Sequence, residues 1–170
     1  MPERTIFVDA SVFLGMHHRN ESVRQESLAF FCQQYVATVT MNYEQVGICD
    51  AIIWQQSRAV QDHYYPFMDR LHTDMAITRA GYSFHEISTA ATDARLRHLL
   101  PEQALLASQV LGGAGLLATH DPALRTLPCL AGHLWTFDAA DPLSSFPPEL
   151  QCLYEASKVF VHGGPQGAWA

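Results

Sequence analysis

Basic side chains are scarce in this chain of 170 residues. Ten lysine and arginine residues stand against seventeen aspartate and glutamate residues, which gives a formal net charge of −7. A protein that binds duplex nucleic acid mainly through charge must neutralise many phosphates with lysine and arginine. The balance therefore argues against a protein that coats nucleic acid. It does not exclude an enzyme that contacts a few phosphates through metal ions.

Paired cysteines and long hydrophobic runs are also missing. The four cysteines are widely separated and form no CxxC pair, which excludes a zinc knuckle and a dithiol redox motif. No apolar run approaches the roughly 18 residues that a membrane span needs, and the N-terminus has no hydrophobic core of a signal peptide. We therefore expect a soluble, cytoplasmic protein with reduced thiols that does not associate with membranes.

The residues that are present suit a packed domain. Hydrophobic residues make up 48% of the chain and charged residues 16%, a composition that can bury a sizeable core. Proline and glycine become more frequent after residue 140. The sequence thus predicts one main domain over residues 1–140, followed at 141–170 by a helix and a flexible tail.

Strand-like and helix-like segments alternate along the chain. Short β-branched or apolar runs predict strands at 5–8, 36–40 and 116–119, with a brief strand at 76–78 and an edge strand at 134–137. Helical spacing predicts helices at 21–35, 41–56, 60–75 (interrupted near Pro66), 88–100, 101–111 and 149–161. This alternation indicates an α/β protein with a central, mostly parallel sheet of four to five strands.

Two predicted strands end in aspartate. Asp9 follows the first strand directly, and Asp121 follows the 116–119 strand after one intervening residue. Right-handed crossovers place the carboxyl ends of parallel strands on one edge of the sheet, where ligands bind in open α/β folds. The two carboxylates are therefore predicted to approach each other there.

Clustered carboxylates have a specific chemical consequence. Two of them about 4 Å apart repel by ~4 kcal/mol at an effective dielectric constant near 20. A protein that gathers several without basic partners either raises their pKa values or supplies a cation. Mg²⁺ and Mn²⁺ prefer oxygen ligands, and such ions activate water for phosphodiester cleavage.

Two further acids are candidates for the same edge. Glu44 lies in the first turn of the helix after the second strand, and Glu102 lies in the first turn of the helix before the last strand. An acid in the first turn of a helix also has a purely structural explanation, since the helix dipole favours negative charge there.

Several segments together resemble the PIN-domain family over roughly residues 4–138. They are Asp9-Ala10-Ser11 after a β-branched strand, Glu44 in the following helix, the run Gln103-Ala104-Leu105-Leu106-Ala107, and Gly115-Leu116-Leu117-Ala118-Thr119-His120-Asp121. The resemblance implies a parallel-sheet α/β/α sandwich and an Mg²⁺- or Mn²⁺-dependent ribonuclease with an acidic pocket. Many members of the family are toxins of bacterial toxin–antitoxin pairs, and many form homodimers.

The acids of the family can be placed on this sequence by position. The resemblance implies Asp9, Glu44 and Asp121 as metal ligands and catalytic residues. The family usually has a third aspartate where this chain has Gln103, with Glu102 one residue earlier. One residue along a helix rotates a side chain by about 100°. Glu102 then either reaches the pocket with its extra methylene, as a fourth catalytic residue, or points elsewhere and leaves a neutral amide in the site.

Other polar residues near the same edge are candidates for substrate binding. Ser11 and Thr119 either contact a substrate phosphate or orient the acids, and both also suit turns and helix caps. Arg125 is the arginine best placed for a phosphate, and His120 adjoins Asp121. With His120, the pair His17 and His18 offers a mixed histidine–carboxylate site for Mn²⁺, Fe²⁺ or Zn²⁺, unless these imidazoles are ordinary surface or core side chains.

Three functions follow from these observations. The first is a PIN-like, divalent-metal-dependent endoribonuclease, with an antitoxin-like protein and a second copy of the chain as expected partners. The second is a catalytically weak or inactive PIN-like binding or regulatory protein, which Gln103 and the acidic charge favour. The third is a metal-dependent enzyme that acts on a small molecule, because a fold does not fix a substrate.

Overall fold

Four short strands form the centre of the computed structural model, which describes residues 3–138 and 145–163. They are β1 (Ile6–Val8), β2 (Val39–Asn42), β3 (Thr78–Ala80) and β4 (Leu116–Ala118). Their order in the sheet is β3-β2-β1-β4, and every pairing is parallel. The α/β class and the central parallel sheet flanked by helices are thus confirmed, in an arrangement consistent with a PIN-like α/β/α sandwich.

Eight α-helices and one 3₁₀-helix occur within the described residues. In chain order they are α1 (Ala10–Gly15), α2 (Glu21–Gln33), α3 (Tyr43–Trp54), α4 (Arg58–Asp74), α5 (Phe84–Thr92), α6 (Pro101–Gly112), α7 (Pro122–Arg125), the 3₁₀-helix Pro128–His133 and α8 (Pro148–Ser157). The side chains of Asn20 and Asn42 cap α2 and α3 by accepting hydrogen bonds from backbone N–H groups. None of the helices in the described ranges is long and apolar enough to cross a membrane.

The two faces of the sheet contact different hydrophobic clusters. Along β1, Ile6 and Val8 face a large cluster built mainly with α1–α4 and α8, whereas Phe7 faces a smaller cluster built with α6 and α7. Leu117 and Ala118 of β4 divide between the clusters in the same way. Because side chains alternate along a strand, the continuous apolar run of β1 is buried on both faces.

The C-terminal helix belongs to the larger cluster. Leu150 and Tyr154 of α8 are buried, and the Tyr154 hydroxyl donates a 2.6 Å hydrogen bond to the carbonyl of Met16 at the end of α1. The segment beyond residue 140 thus supplies a helix to the core of the first 140 residues. The predicted domain boundary near residue 140, and the tail from residue 164, lie outside the described residues.

Two helices differ from the sequence prediction. The helix predicted at 88–100 is α5, which begins at Phe84 because Ser83 and Glu86 form a reciprocal capping box, and which ends before Asp93. The interruption predicted near Pro66 is wrong, since α4 is continuous. Tyr64 and Phe67, on either side of the proline, are buried in the core.

The strand predictions differ in their boundaries. The strands predicted at 36–40 and 76–78 are displaced by about two residues to β2 and β3. Within the described residues, the edge strand predicted at 134–137 is reduced to one bridge between Leu117 and Leu134. Trp135 and Phe137 instead turn toward Phe30, with ring centroids 5.4 and 6.4 Å away. Aromatic packing has replaced further pairing with β4.

The approach of β4 to β1 requires glycine at position 115. A Cβ there would lie 2.6 Å from the Phe7 ring and 2.8 Å from the carbonyl oxygen of Thr5. We expect Gly115→Ala to lower the free energy of unfolding by about 1–3 kcal/mol, since the backbone of β1 must move. Gly47→Ala is the control, because a Cβ there meets no atom within 4 Å in the middle of α3. Urea unfolding should show Gly47→Ala to be stabilising by about 0.5–1 kcal/mol, and equal effects of both variants would contradict this account.

Candidate active site

Asp9 and Asp121 lie at the carboxyl ends of the adjacent strands β1 and β4. Asp9 caps α1 and Asp121 caps α7, so each carboxylate is fixed by the strand before it and the helix after it. Both side chains line one narrow cleft, and both are largely buried. The other lining residues are Ala10, Ser11, Gln45, Glu102, Gln103, Leu106 and Leu124, and they include no lysine, arginine or histidine.

Four hydrogen bonds hold the carboxylate of Asp9. Its Oδ1 accepts from the backbone N–H groups of Ser11 (3.0 Å) and Val12 (3.3 Å) and from the Ser11 hydroxyl (2.5 Å). Its Oδ2 accepts from the hydroxyl of Thr119. The carboxylate therefore connects the end of β1, the start of α1 and the loop that follows β4.

Burial raises the pKa of Asp9 to about 6, from an ordinary value of 3.8. The hydrogen bonds from Ser11, Thr119 and Val12 oppose this shift, and the negative charge of Asp121 adds to it. Asp9 is thus a carboxylate whose ionised form is unfavourable without a nearby positive charge.

The hydroxyls of Ser11 and Thr119 connect the two acids. The Thr119 hydroxyl donates to Asp9 and accepts a 3.0 Å hydrogen bond from the backbone N–H of Asp121. The Ser11 hydroxyl donates to Asp9 and accepts from the backbone N–H of His120 at 2.8 Å. Of the two roles considered for Ser11 and Thr119, these contacts are those of residues that orient the acids.

Both Glu102 and Gln103 face the cleft. The amide of Gln103 donates a 2.7 Å hydrogen bond to Oδ2 of Asp121, while its oxygen accepts from the backbone N–H of Leu100 at 3.0 Å. The Glu102 carboxylate lines the same cleft and makes no hydrogen bond or ion pair within the described residues. A neutral donor thus occupies position 103, and Glu102 adds a carboxylate beside it.

Glu44 does not line this cleft. Its Oε1 accepts a 2.8 Å hydrogen bond from the hydroxyl of Tyr82, which in turn accepts from the amide of Asn42 at 3.0 Å. The next residue, Gln45, lines the cleft instead, and its Oε1 accepts from the backbone N–H of Ala10 at 2.9 Å. The structure therefore gathers Asp9, Asp121 and Glu102, with Glu44 on a neighbouring part of the edge.

Tyr82, the partner of Glu44, does not stand out in the sequence. Burial and the hydrogen bond to Glu44 raise the pKa of Tyr82 far above its ordinary value. Its position two residues after the end of β3 is the one feature of the sequence that points to it, because a polar side chain there reaches the same edge of the sheet as Asp9 and Asp121. The Asn42 amide extends this network to the side chain of Gln109 in α6, with a 3.0 Å hydrogen bond.

His120 and Arg125 are held against Phe137. The His120 ring stacks on Phe137 with centroids 4.5 Å apart, and its Nε2 lies 2.9 Å from the hydroxyl of Ser27. Burial, and then the charge of Arg125, lower the pKa of His120 to about 4, so its ring is neutral at pH 7. The guanidinium of Arg125 lies over the Phe137 ring and donates to the carbonyl of Thr119 at 3.1 Å.

The other two histidine candidates, His17 and His18, lie in different environments. His17 is buried among aromatic rings, and its Nε2 lies 2.7 Å from the hydroxyl of Ser157. His18 lines a groove beside the cleft together with His120. Within residues 3–138 and 145–163, no three side chains of the histidine, cysteine, aspartate or glutamate type lie close enough to hold a metal ion.

The fold and the cleft define an α/β protein with an acidic site at the carboxyl ends of two adjacent parallel strands. The chain belongs to a family of unknown function, DUF6190, whose family model matches residues 1–164. Neither the curated proteins nor the solved structures include a match to this chain.

The raised pKa of Asp9 predicts a pH-dependent stability. Because the folded state binds this proton more tightly than the unfolded state, the free energy of unfolding should fall as the pH rises from about 4 to about 6. Asp9→Asn removes the charge, so we expect the variant to be more stable than the natural protein at pH 7 by about 1–3 kcal/mol. The difference should shrink toward zero near pH 4.

Urea unfolding in EDTA at several pH values measures this difference. Asp62→Asn is the control, because Asp62 is an exposed carboxylate paired with Arg58 on the surface of α4. A pH-independent effect of Asp9→Asn, or a loss of stability at pH 7, would show that Asp9 is not an energetically unfavourable charge.

Proposed function

We propose that this protein is a divalent-metal-dependent phosphodiesterase of PIN-like type that cleaves RNA. The observation that supports this most directly is the placement of Asp9 and Asp121 on adjacent strands in one cleft. Glu102 adds a third carboxylate, and the lining residues include no basic side chain that would neutralise the acids. A cation is one means of balancing such a group, and the raised pKa of Asp9 is the cost of its absence.

The cleft contains oxygen donors of the kind that suit Mg²⁺ or Mn²⁺, the carboxylates of Asp9, Asp121 and Glu102. Among the described residues they do not lie close enough together to hold an ion, so binding would require a carboxylate to move toward the other two. A bound cation would also lower the pKa of Asp9 again, which gives the buried carboxylate a function. When bound, such an ion acts as a Lewis acid toward the phosphodiester and lowers the pKa of a coordinated water.

The remaining residues of the cleft would position these ligands. Ser11 and Thr119 fix both oxygens of Asp9, and Gln103 fixes one oxygen of Asp121. The network from Glu44 through Tyr82 and Asn42 holds α3 against α6 beside the cleft. Glu44 would thus support the position of α3 beside the cleft rather than bind the cation directly.

Cleavage of RNA in the presence of Mn²⁺ tests the proposal. We expect the natural protein to cut a pool of labelled single-stranded RNA in Mn²⁺ and to leave it intact in EDTA. Asp9→Asn and Asp121→Asn should each reduce cleavage by at least about 100-fold, because each removes a ligand carboxylate. Gel analysis of the products over time measures the rate.

Asp62→Asn provides the matched control, since it makes the same chemical change on an exposed helix surface away from the cleft. Cleavage that persists at the same rate in Asp9→Asn and Asp121→Asn would indicate a contaminating nuclease. Absence of Mn²⁺-dependent cleavage by the natural protein, in a preparation shown to be folded, would reject the proposed activity.

The hydrogen bond from Gln103 to Asp121 favours a second candidate function, a catalytically weak or inactive PIN-like protein that binds or regulates. In this arrangement the amide supplies a neutral donor where a third aspartate would bind the cation. The two proposals differ in whether Glu102 compensates for Gln103, and they predict different metal affinities.

Gln103→Asp distinguishes these candidates. The new carboxylate should repel Asp121 in EDTA and lower the thermal midpoint, whereas Mn²⁺, if bound, would offset the repulsion and restore the midpoint. We expect Mn²⁺ affinity to rise about 10–100-fold, as calorimetry would measure. Gln103→Asn is the control without a new charge. An active natural protein whose rate Gln103→Asp does not increase would indicate that Glu102 already completes the site.

The expected partners remain part of the proposal. Exposed aromatic side chains such as Tyr43, Trp54 and Phe84 offer apolar surface for a second copy of the chain or an antitoxin-like protein.

A metal-dependent reaction on a small molecule is the outcome to consider if RNA is bound neither in EDTA nor in Mn²⁺. A cytoplasmic location is proposed because Cys49, Cys129 and Cys152 form no disulfide within the described residues.

A further inference from the structure

A basic pocket lies at the opposite end of the same surface from the acidic cleft. It has a volume of about 370 Å³ and is lined by residues between α1 and α2 and at the end of α8. Three of the ten basic residues of the chain, Arg19, Arg24 and Lys158, line it, and no aspartate or glutamate does. In a chain of net charge −7, this concentration of positive charge indicates an anionic ligand.

The three basic side chains are available to a ligand to different degrees. Arg19 is exposed, and its side chain forms no hydrogen bond or ion pair with any described residue. Arg24 donates one 2.9 Å hydrogen bond to the carbonyl of His18 and keeps its other donors. Lys158 pairs with Glu155 at 2.8 Å, but both side chains are about half exposed, so a phosphate can replace this weak ion pair.

His17 forms part of the wall of this pocket and has an unpartnered nitrogen. The hydroxyl of Ser157 donates to the carbonyl of Tyr154 at 2.6 Å, so Nε2 of His17 must be the donor in its 2.7 Å contact with that hydroxyl. Nδ1 is then a buried acceptor without a hydrogen-bond partner among the described residues. This nitrogen carries no proton and is shielded from solvent, so it does not contribute to anion binding, which rests on the three basic side chains of the pocket.

A groove connects the basic pocket to the acidic cleft. The groove has a volume of about 450 Å³. It shares Ser11, Glu102, Gln103 and Asp121 with the cleft and His18 with the pocket. Between these ends it is lined by apolar side chains and by neutral imidazoles, among them Val23, Leu100, His120 and His162. One continuous surface therefore runs from carboxylates through apolar and imidazole groups to arginine and lysine.

We propose that the basic pocket binds a backbone phosphate of the same single-stranded RNA whose scissile phosphate lies at Asp9 and Asp121. This inference rests on the proposed function and names the path of the substrate. The groove would hold the intervening nucleoside, since its volume and mixed lining suit a flat ring with polar edges. An RNA strand carries one negative charge at each nucleotide, so one phosphate can lie at the cation-binding cleft while the next lies at the basic pocket. A single small anion could occupy only one of these two places.

Binding of labelled single-stranded RNA in EDTA, followed by fluorescence anisotropy, tests the path without depending on cleavage. We expect the double variant Arg19→Gln/Lys158→Gln to bind at least about tenfold more weakly. The slope of log Kd against log salt should fall by about 0.7, the value for one lost phosphate contact with a single strand. Arg19→Lys/Lys158→Arg keeps both charges and should bind within about threefold of the natural protein.

The matched control is Arg58→Gln/Arg97→Gln, which removes the same charge from exposed positions that do not line the pocket. Equal losses in the two neutralised variants would overturn the proposal, because they would indicate general electrostatics only. The proposal also fails if RNA does not bind while inorganic phosphate or a nucleoside monophosphate does, since the pocket would then take a free phosphate.

The outcomes separate the two proposals. RNA that binds through Arg19 and Lys158 but is not cut in Mn²⁺ would support the pocket and reject the nuclease. Metal-dependent cleavage that Asp9→Asn abolishes, with RNA binding unaffected by Arg19→Gln/Lys158→Gln, would support the nuclease and reject the pocket.

Discussion

The carboxylate of Asp9 is the interaction on which the arrangement of this molecule depends. Its oxygens accept hydrogen bonds from the first turn of α1 and from the hydroxyls of Ser11 and Thr119, so one side chain fixes the end of β1, the start of α1 and the loop after β4. Those bonds only partly offset the loss of hydration, because burial still raises the pKa of Asp9 to about 6. The fold therefore tolerates an unfavourable charge at the centre of the cleft, and such charges concentrate at functional sites.

The unfavourable negative charge in the cleft also explains why position 103 carries a neutral amide. A further carboxylate at position 103, about 4 Å from a neighbouring one, would add roughly 4 kcal/mol of repulsion for that pair at an effective dielectric constant near 20. The Gln103 amide instead donates to Asp121, and its oxygen satisfies the backbone of Leu100. The amide thus stabilises the cleft without a cation, whereas an all-acid cleft would depend on one. Glu102 lines the cleft without a hydrogen-bond or ion-pair partner within the described residues, so its carboxylate remains available as a ligand.

The sequence predicts the features that follow from the sheet topology. It does not predict which of two neighbouring helical residues faces the cleft. Asp9 and Asp121 were predicted to meet because the carboxyl ends of parallel strands share an edge whatever the side chains do. Glu44 and Gln45 were not distinguished, since neighbours on α3 point about 100° apart and both are polar. Tyr82 escaped notice because its contact with Glu44 joins residues 38 positions apart and follows a three-residue strand. The start of α5 was misplaced because Ser83 and Ser88 are both acceptable caps, and only the capping box with Glu86 decides between them.

The positions of the few basic residues matter more for nucleic-acid binding than their number. If the positive charge were spread evenly, the excess of acids would repel a polynucleotide from every side. Instead Arg19, Arg24 and Lys158 line one pocket, which a groove joins to the cleft of Asp9 and Asp121. Under the proposed function, an acidic surface with a basic pocket beside the cleft would reject nucleic acid wherever a strand cannot reach both that pocket and a cation in the cleft. Net charge then contributes to selectivity, because only a ligand of the right length and flexibility gains both contacts.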